Sequence, residues 1–231
     1  MTYTWLLFDV DGTLFNFDLA ETKALEGAFR DLGLPYGPLT AERYSVINKQ
    51  VWLDFESGRV TAEALRTIRF ARLLEAMELQ GDPALISPCY LTHLGACSDL
   101  MPGAVETVRA LAGKYRLGIV TNGLSDVQRP RLANSPIGAL FEIVAISEEI
   151  GAPKPEARFF NWVMEQMGQP DPKNVLVIGD SLTSDIQGGN LAGMDTCWYN
   201  PVGRPADPRF PATHEIRHLT ELPGILYNSS R

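Results

Sequence analysis

Short apolar runs alternate with helical patterns along most of the chain. The first run, Trp5 to Phe8, is too short for a helix and is followed by the turn signal Asp11-Gly12-Thr13, which predicts a buried central strand. Further strand candidates follow in the segments LGIV (117–120), FEIVAI (141–146), VLVI (175–178) and DTCWYNP (195–201). Repeated strand and helix units of this kind indicate an α/β fold with a parallel sheet and right-handed crossovers.

The chain between the first and second strand candidates has a helical pattern throughout. Asp18 and Glu21 give a capping-box-like helix start, and Gly33 gives a stop. From Thr40 to about Cys97 the apolar spacing stays helical. A compact all-helical segment is therefore expected between two α/β regions, while the proline-rich stretch 200–216 is predicted to be irregular loop.

Polar residues recur where the predicted strands end. Asp9 and Asp11 follow the first strand, Thr121 and Asn122 the second, and Asp180 the run at 175–178. The carboxyl ends of parallel strands meet at one edge of a sheet, where ligands of open α/β folds bind. We therefore expect these side chains to converge, although they lie far apart in the sequence.

Asp9 and Asp11 allow more than one interpretation when taken alone. A strand cap with an Asx-turn uses the same residues, whereas a calcium loop fits less well because an EF-hand loop is entered from a helix. The functional alternative is a metal-assisted nucleophile with an acid/base partner.

Composition narrows the classes of partner. The chain has 231 residues, 45% of them hydrophobic, with a net charge of −8 and a pI near 4.9. This length suits one large domain, or one domain with an insertion. The acidic balance argues against a nucleic-acid polymer as partner, but it is compatible with a small phosphorylated ligand.

The apolar runs, the N-terminal residues and the cysteines together predict a cytoplasmic protein. No apolar run approaches the roughly 20 residues of a membrane span, and the first residues lack a signal-peptide pattern. The odd number of cysteines, without CxxC spacing, predicts reduced thiols rather than disulfides or a zinc site. His93, His214 and His218 show no acid partner or metal-ligand spacing in the sequence.

Four short motifs stand in a fixed order along the chain: DVDGT from residue 9, TNG from 121, KP at 154 and GDSLTSD from 179. Together they resemble the haloacid dehalogenase-like superfamily of phosphohydrolases. The resemblance implies a Rossmann-like catalytic core, residues 1–15 and 98–231, and a helical cap, residues 16–97, that selects the substrate. The helical segment expected from the apolar pattern agrees with such a cap.

The chemistry of phosphoryl transfer assigns roles to these residues. The reaction needs an in-line nucleophile and positive charge around the phosphoryl oxygens. Asp9 is expected to be the nucleophile, forming an aspartyl-phosphate, and Asp11 the general acid and base. Thr121 and the loop backbone at Asn122 and Gly123 are expected to donate hydrogen bonds to the phosphoryl group.

Mg²⁺ is the expected cofactor, because it prefers oxygen ligands and keeps several waters. The carboxylates of Asp9 and Asp180 and the backbone carbonyl of Asp11 are the predicted ligands. Asp185 is predicted to hold the metal-bound waters, a solvated helix acid being its alternative. Lys154 is expected to supply positive charge to the phosphate, although a Lys before Pro is more often an ordinary loop residue. The superfamily's dehalogenases lack the second acid, so Asp11 favours phosphate esters.

The helical segment carries the evidence on the substrate. Its stretch from Val46 to Met77 is similar to the YjjG-type nucleotidase subfamily, which implies a nucleoside 5′-monophosphate with a pyrimidine base. Trp52 and Phe55 are candidates for stacking on the base, and Asn48 for bonding its edge, with packing inside the cap as the alternative for each. A phosphoglycolate or sugar-phosphate phosphatase is the second hypothesis. A phosphomutase and a non-catalytic phospholigand sensor follow, and the protein is expected to be a monomer or homodimer.

Overall fold

The computed structural model describes residues 3–228, and of Asn228 only the backbone. The described chain divides into two compact units: residues 3–16, 100–125 and 132–228 form the first, and residues 17–99 and 126–131 the second. The predicted core also included residues 1–2 and 229–231, which lie outside the described residues. The roles of catalytic core and cap remain predictions.

Over residues 3–228 the chain forms six strands and ten α-helices. The strands are β1 (Trp5–Phe8), β2 (Arg116–Thr121), β3 (Ile143–Ile146), β4 (Val175–Gly179), β5 (Asp195–Tyr199) and β6 (His214–Ile216). The helices are α1 (Phe17–Asp31), α2 (Pro38–Glu56), α3 (Ala62–Ala76), α4 (Pro83–Ala96), α5 (Ala104–Leu111), α6 (Ser125–Ala133), α7 (Ser147–Ile150), α8 (Ala157–Gln166), α9 (Gln187–Leu191) and α10 (Leu222–Asn228). A π-helical turn spans Leu182–Ile186.

The strands of the described chain form a single sheet in the order β3-β2-β1-β4-β5-β6. Every neighbouring pair is parallel, and β1 lies between β2 and β4. The predicted α/β, Rossmann-like class is therefore confirmed. The strand β6 lies inside the stretch predicted to be loop, and that prediction is wrong for residues 214–216.

The apolar runs are continuous because both faces of the sheet are covered. In β1, Leu6 and Phe8 belong to a core that includes Val108 of α5, whereas Trp5 and Leu7 belong to the opposite core with Phe159 of α8. Side chains alternate between the two faces of a strand, so a strand buried on both sides needs apolar residues at every position.

The chain leaves and re-enters the first unit through two paired segments. Phe15 and Leu100 form an antiparallel bridge, and the N–H of Met101 donates to the carbonyl of Leu14 over 2.9 Å. All helices of residues 17–99, α1 to α4, lie between these two points. No helix within residues 3–228 is both long and apolar enough to cross a bilayer.

The second unit has an aromatic core with a buried cation. The rings of Tyr44, Phe70 and Tyr90 pack with centroids 5.3 to 5.4 Å apart. The guanidinium of Arg69 lies 5.1 Å from the Phe70 centroid and 5.0 Å from that of Tyr90, a distance at which ring faces attract cations. This arrangement joins α2, α3 and α4 around one charged group.

A chain of polar side chains extends from that cation to α1. Arg69 Nη1 donates to Asn48 Oδ1 over 3.2 Å, and Asn48 Nδ2 donates to Glu21 Oε1 over 2.7 Å. Glu21 is 4% exposed and Asn48 1%. Glu21, expected near a helix start, therefore serves as a buried acceptor. Burial raises the pKa of Glu21 above its ordinary value of 4.5, against the opposing effect of its hydrogen bonds and of Arg69.

We predict that Glu21→Gln changes how stability depends on pH. A carboxyl whose pKa is higher in the folded than in the unfolded state holds more protons when folded, so its contribution to stability falls as pH rises between the two values. The free energy of unfolding of the variant, minus that of the wild type, should therefore increase as pH rises above about 4.5. Urea unfolding between pH 4 and 7 measures this. Glu26→Gln, an exposed change on the same helix, is the control, and a pH-independent difference for Glu21→Gln would contradict the prediction.

Candidate active site

Four adjacent strands, β3, β2, β1 and β4, direct the predicted polar residues of the first unit to one edge of the sheet. The N–H of Asp9 donates to the carbonyl of Ile178 over 2.9 Å, which extends the pairing of β1 with β4 by one residue. Thr121 is the last residue of β2, and Asp180 follows β4 directly. The sheet order thus brings together residues that the sequence separates widely.

The Lys154 ammonium lies at the centre of this group. It is 1% exposed and donates to Asp9 Oδ1 over 2.7 Å, to Asp185 Oδ1 over 2.6 Å and to the Val120 carbonyl over 2.8 Å. An ammonium has three protons to donate, so protein acceptors take all of them. Lys154 therefore neutralises two carboxylates, and its expected action on a phosphate stays a prediction.

The loops that carry Lys154 and Thr121 are joined through Asn122. The N–H of Lys154 donates to Asn122 Oδ1 over 2.7 Å, and Asn122 Nδ2 donates to the Lys154 carbonyl over 3.0 Å. Next to it, the N–H of Gly123 donates to Thr121 Oγ1 over 3.1 Å. Asn122 thus positions the lysine, while Thr121 carries a hydroxyl that can both accept and donate.

Two glycines make room for the acids that follow β4. Gly12 has a φ of +86°, and a Cβ there would lie 3.0 Å from the Asp180 carboxylate; a Cβ at Gly179 would overlap the carboxylate of Asp185. Asp185 lies on the π-helical turn, is completely buried, and accepts a bond from the Ser181 N–H over 3.0 Å. The alternative of a solvated helix acid therefore does not apply to Asp185.

The carboxylates outnumber the buried positive charge. Burial raises the pKa of Asp9, Lys154 opposes the shift, and Asp185 and Asp180 add to it, so the value lies well above the ordinary one. Burial followed by the charge of Asp185 raises the pKa of Asp180 to about 7. For Lys154, burial would lower the pKa, but the two carboxylates outweigh it and hold the value above the ordinary one.

This donor set fits a hard divalent cation. Carboxylate oxygens of Asp9, Asp180 and Asp185 lie within 4.8 Å of one another. Oxygen ligands are those that Mg²⁺ prefers, and a dication would offset the excess negative charge. Both Asp185 oxygens already accept bonds from Lys154 and Ser181, which makes Asp9 and Asp180 the better direct ligands. Asp11, two residues after Asp9, is half-buried.

Sequence reasoning did not identify the groups that hold Asp180. Its backbone carbonyl accepts hydrogen bonds from Trp198 Nε1 over 3.0 Å and from Arg204 Nη2 over 2.5 Å. Asn200 fixes the loop of Arg204 through two bonds with the Arg204 backbone, 2.8 and 2.9 Å long. Arg204 lies in the proline-rich stretch, where no motif indicates a role; Asn200, a polar residue directly after β5, was the available signal.

The predicted base-contacting residues belong to the second unit. Trp52 and Phe55 are half-buried and pack edge to face with centroids 5.7 Å apart. Asn48 lies one turn before Trp52, and both ends of its side-chain amide are engaged by Glu21 and Arg69. The structure thus brings the two aromatic residues together, and it pairs Asn48 with side chains of α1 and α3.

Among the histidines and cysteines, His93 differs from the expectation. His93 Nε2 lies 2.7 Å from Asp31 Oδ2, so the expectation of no acid partner is wrong for His93. His214 lies 3.4 Å from the Tyr3 hydroxyl, and His218 caps the turn that contains Glu221. The three cysteines are free thiols.

The parallel sheet, the strand-end acids and the buried lysine form the candidate active site of a Rossmann-like α/β protein. The chain belongs to the haloacid dehalogenase-like hydrolases, whose family model matches residues 3–193. The superfamily and the hydrolase class expected from the motifs are thereby confirmed.

Three relatives match nearly the whole chain. The putative HAD-hydrolase YfnB of Bacillus subtilis (strain 168) is 40% identical over 97% of this chain and 95% of its own. Its crystal structure, determined with bound magnesium, superposes with a TM-score of 0.93 over 98% of this chain and 99% of that one. The pyrimidine 5′-nucleotidase YjjG of Escherichia coli (strain K12) is 33% identical, covering 98% and 99%. The pyrimidine 5′-nucleotidase PynA of Streptococcus pneumoniae (strain ATCC BAA-255 / R6) is 34% identical, covering 96% and 94%.

Removing the Lys154 charge should destabilise the protein strongly. Lys154→Met leaves Asp9 and Asp185 buried without their counter-ion, which is expected to lower the free energy of unfolding by about 3 to 5 kcal/mol at pH 7.5. The loss should shrink toward pH 5, because the Asp9 carboxyl, whose pKa is already raised, then takes up a proton in the folded variant. Urea unfolding at the two pH values measures both effects. Lys173→Met, a lysine whose side chain is 60% exposed, should cost little; equal losses for the two variants would contradict the central role of Lys154.

Proposed function

We propose that the protein is a phosphomonoesterase that transfers a phosphoryl group to Asp9 and then to water. The observation that carries the proposal is the pair of acids at the end of β1, with Asp9 held by a fully buried lysine and Asp11 two residues further on. The family membership supports the same chemistry. Pyrimidine nucleoside 5′-monophosphates are the substrates we propose.

The reaction has two steps. An oxygen of Asp9 attacks phosphorus as the bond to the leaving oxygen breaks, and Asp11 gives its proton to the departing alkoxide. The resulting aspartyl-phosphate is hydrolysed when water attacks phosphorus and Asp11 takes a proton from it. Inorganic phosphate leaves, and both carboxyls return to their starting states.

The surrounding residues orient the nucleophile. Lys154 binds Asp9 Oδ1, which fixes the carboxylate and directs the other oxygen toward the phosphoryl group. We propose that the Thr121 hydroxyl and the backbone around Asn122 and Gly123 donate to the phosphoryl oxygens, where negative charge must be balanced. Lys154 then acts through Asp9 and Asp185, as a positioning group that carries charge.

Mg²⁺ is the cofactor we propose for the acidic cluster. Asp9, Asp180 and the backbone carbonyl of Asp11 would hold the ion, and Asp185 would orient its waters. When bound, it supplies positive charge that neutralises the phosphoryl oxygens. The raised pKa values of Asp9 and Asp180 support this assignment, because they reflect burial and neighbouring carboxylate charge that Lys154 does not offset.

The substrate class rests on the similarity to YjjG and PynA, both named pyrimidine 5′-nucleotidases. Half-buried Trp52 and Phe55 offer rings on which a base can stack. Asn48 would have to give up a bond to Glu21 or Arg69 in order to reach a base edge. We therefore propose Trp52 and Phe55 as the base-contacting residues.

Phosphate release from a panel of esters tests the activity. We expect Mg²⁺-dependent release from UMP and dTMP that exceeds release from AMP, phosphoglycolate and glucose 6-phosphate. Asp9→Asn should abolish it, because an amide is not a competent nucleophile. Release led by another ester would keep the mechanism and overturn the substrate class. Isomerised ester without free phosphate would indicate a mutase, and no turnover at all would favour a phospholigand sensor.

The role of Asp11 can be separated from that of Asp9 by the leaving group. Asp11→Asn should lower the rate of nucleoside release by about 10² to 10⁴-fold, because an alkoxide needs a proton in order to leave. Nitrophenolate leaves without one, so p-nitrophenyl phosphate should still give a burst of about one equivalent in the variant, followed by slow turnover. Rapid-quench kinetics measures the first turnover of each substrate in the variant. Equal slowing of nucleoside release and nitrophenolate release would show that Asp11 is not the general acid.

A further inference from the structure

A second cluster of metal-ligand side chains lies in the helical unit. Asp31, Cys89 and His93 each present a donor atom, and the three atoms lie within 4.8 Å of one another. The side chains of Asp31 and His93 are 46% and 30% exposed, and Cys89 is half-buried. An ion from solvent can therefore reach this cluster.

Two packed helices supply these donors. Cys89 and His93 are four residues apart on α4 and so lie on one face of the helix. Asp31 is the last residue of α1, which packs along α4. The full set of three donors was not recognisable in the sequence, because Asp31 lies far from the other two residues along the chain.

The backbone of α1 fixes the orientation of the His93 ring. A Cβ at Gly27 would lie 2.6 Å from His93 Nδ1, so the absence of a side chain there lets the ring pack against the helix. Nε2 consequently faces Asp31 at 2.7 Å. Cys89 Sγ lies 4.0 Å from the carbonyl of Ala28, one turn before Asp31. These contacts keep the nitrogen, sulfur and oxygen donors within 4.8 Å of one another.

We propose that Asp31, Cys89 and His93 bind a transition-metal dication of the zinc class, with solvent as the fourth ligand. Thiolate and imidazole donors select Zn²⁺ or Co²⁺ over Mg²⁺, which prefers oxygen. Tetrahedral donors about 2.0 to 2.3 Å from an ion lie roughly 3.3 to 3.8 Å apart. To bind an ion, Asp31 Oδ2 and His93 Nε2 must move slightly apart, and the two donor atoms that lie furthest apart must approach each other. Side-chain rotations at a partly exposed site allow both movements.

Coordination changes the protonation of the cysteine. The thiol loses its proton to solvent as sulfur binds the ion. Protons compete with the ion for the sulfur, so metal binding should strengthen as pH rises. The bound ion would join the end of α1 to α4. Its donors differ in kind from the all-oxygen cluster around Asp9.

Co²⁺ is the probe for this site, because cobalt bound to thiolate absorbs in the near ultraviolet and cobalt bound to carboxylates does not. The full chain is titrated with Co²⁺ in excess Mg²⁺. We expect the thiolate band to saturate at one equivalent, to weaken at lower pH and to disappear when Zn²⁺ displaces cobalt. Cys89→Ser should remove the band.

Matched variants locate the ion. Cys97→Ser, which changes another half-buried thiol of the same unit, and Asp9→Asn should both keep the band. His93→Gln should abolish or shift it, and this variant also serves if Cys89→Ser fails to fold. Absence of the band in the wild type, or its persistence in Cys89→Ser, would overturn the proposal. Neither result depends on phosphatase activity.

Discussion

One buried ammonium organises the first unit. Lys154 bonds the end of β1 through Asp9, the end of β2 through the Val120 carbonyl, and the turn after β4 through Asp185. A buried ammonium is tolerable only when its protons and its charge are all satisfied. These three acceptors meet only if β2, β1 and β4 are neighbours and parallel, as they are. The sheet order and the position of the lysine therefore depend on each other, and the bonds from Asn122 hold the lysine loop in place.

The same region carries negative charge that the fold does not compensate. Asp9, Asp180 and Asp185 share one buried lysine, with Arg204 Nη2 3.8 Å from an Asp180 carboxylate oxygen. Glycine at positions 12 and 179 lets these carboxylates approach the backbone closely. A fold selected for stability alone would not concentrate acids in this way, since each raised pKa marks a charged form that burial disfavours. The arrangement is understandable if a cation and a phosphoryl group are to be bound there.

Features that depend on local sequence were predicted correctly, whereas features that depend on contacts between distant residues were missed. Runs buried on both faces, such as Trp5 to Phe8, are recognisable from local sequence, and acids at strand ends converge because parallel strands share an edge. The three-residue strand β6 has no such run and is held by pairing with β5. Glu21 fits a local capping pattern, but tertiary packing turns it toward Asn48. The pairing of Asp31 with His93 depends on helix packing that no local spacing reveals.

The helical unit shows how buried hydrogen bonds can orient half-buried residues on the same helix. Asn48, Trp52 and Phe55 lie four and three residues apart on α2 and so share a face of that helix. Asn48 is 1% exposed and bonds both Glu21 of α1 and Arg69 of α3, which fixes the rotation of α2 about its axis. That rotation decides where the half-buried aromatic pair points. An effect of Asn48 on substrate choice would therefore be transmitted through the orientation of Trp52 and Phe55, and it would require no direct contact with a base.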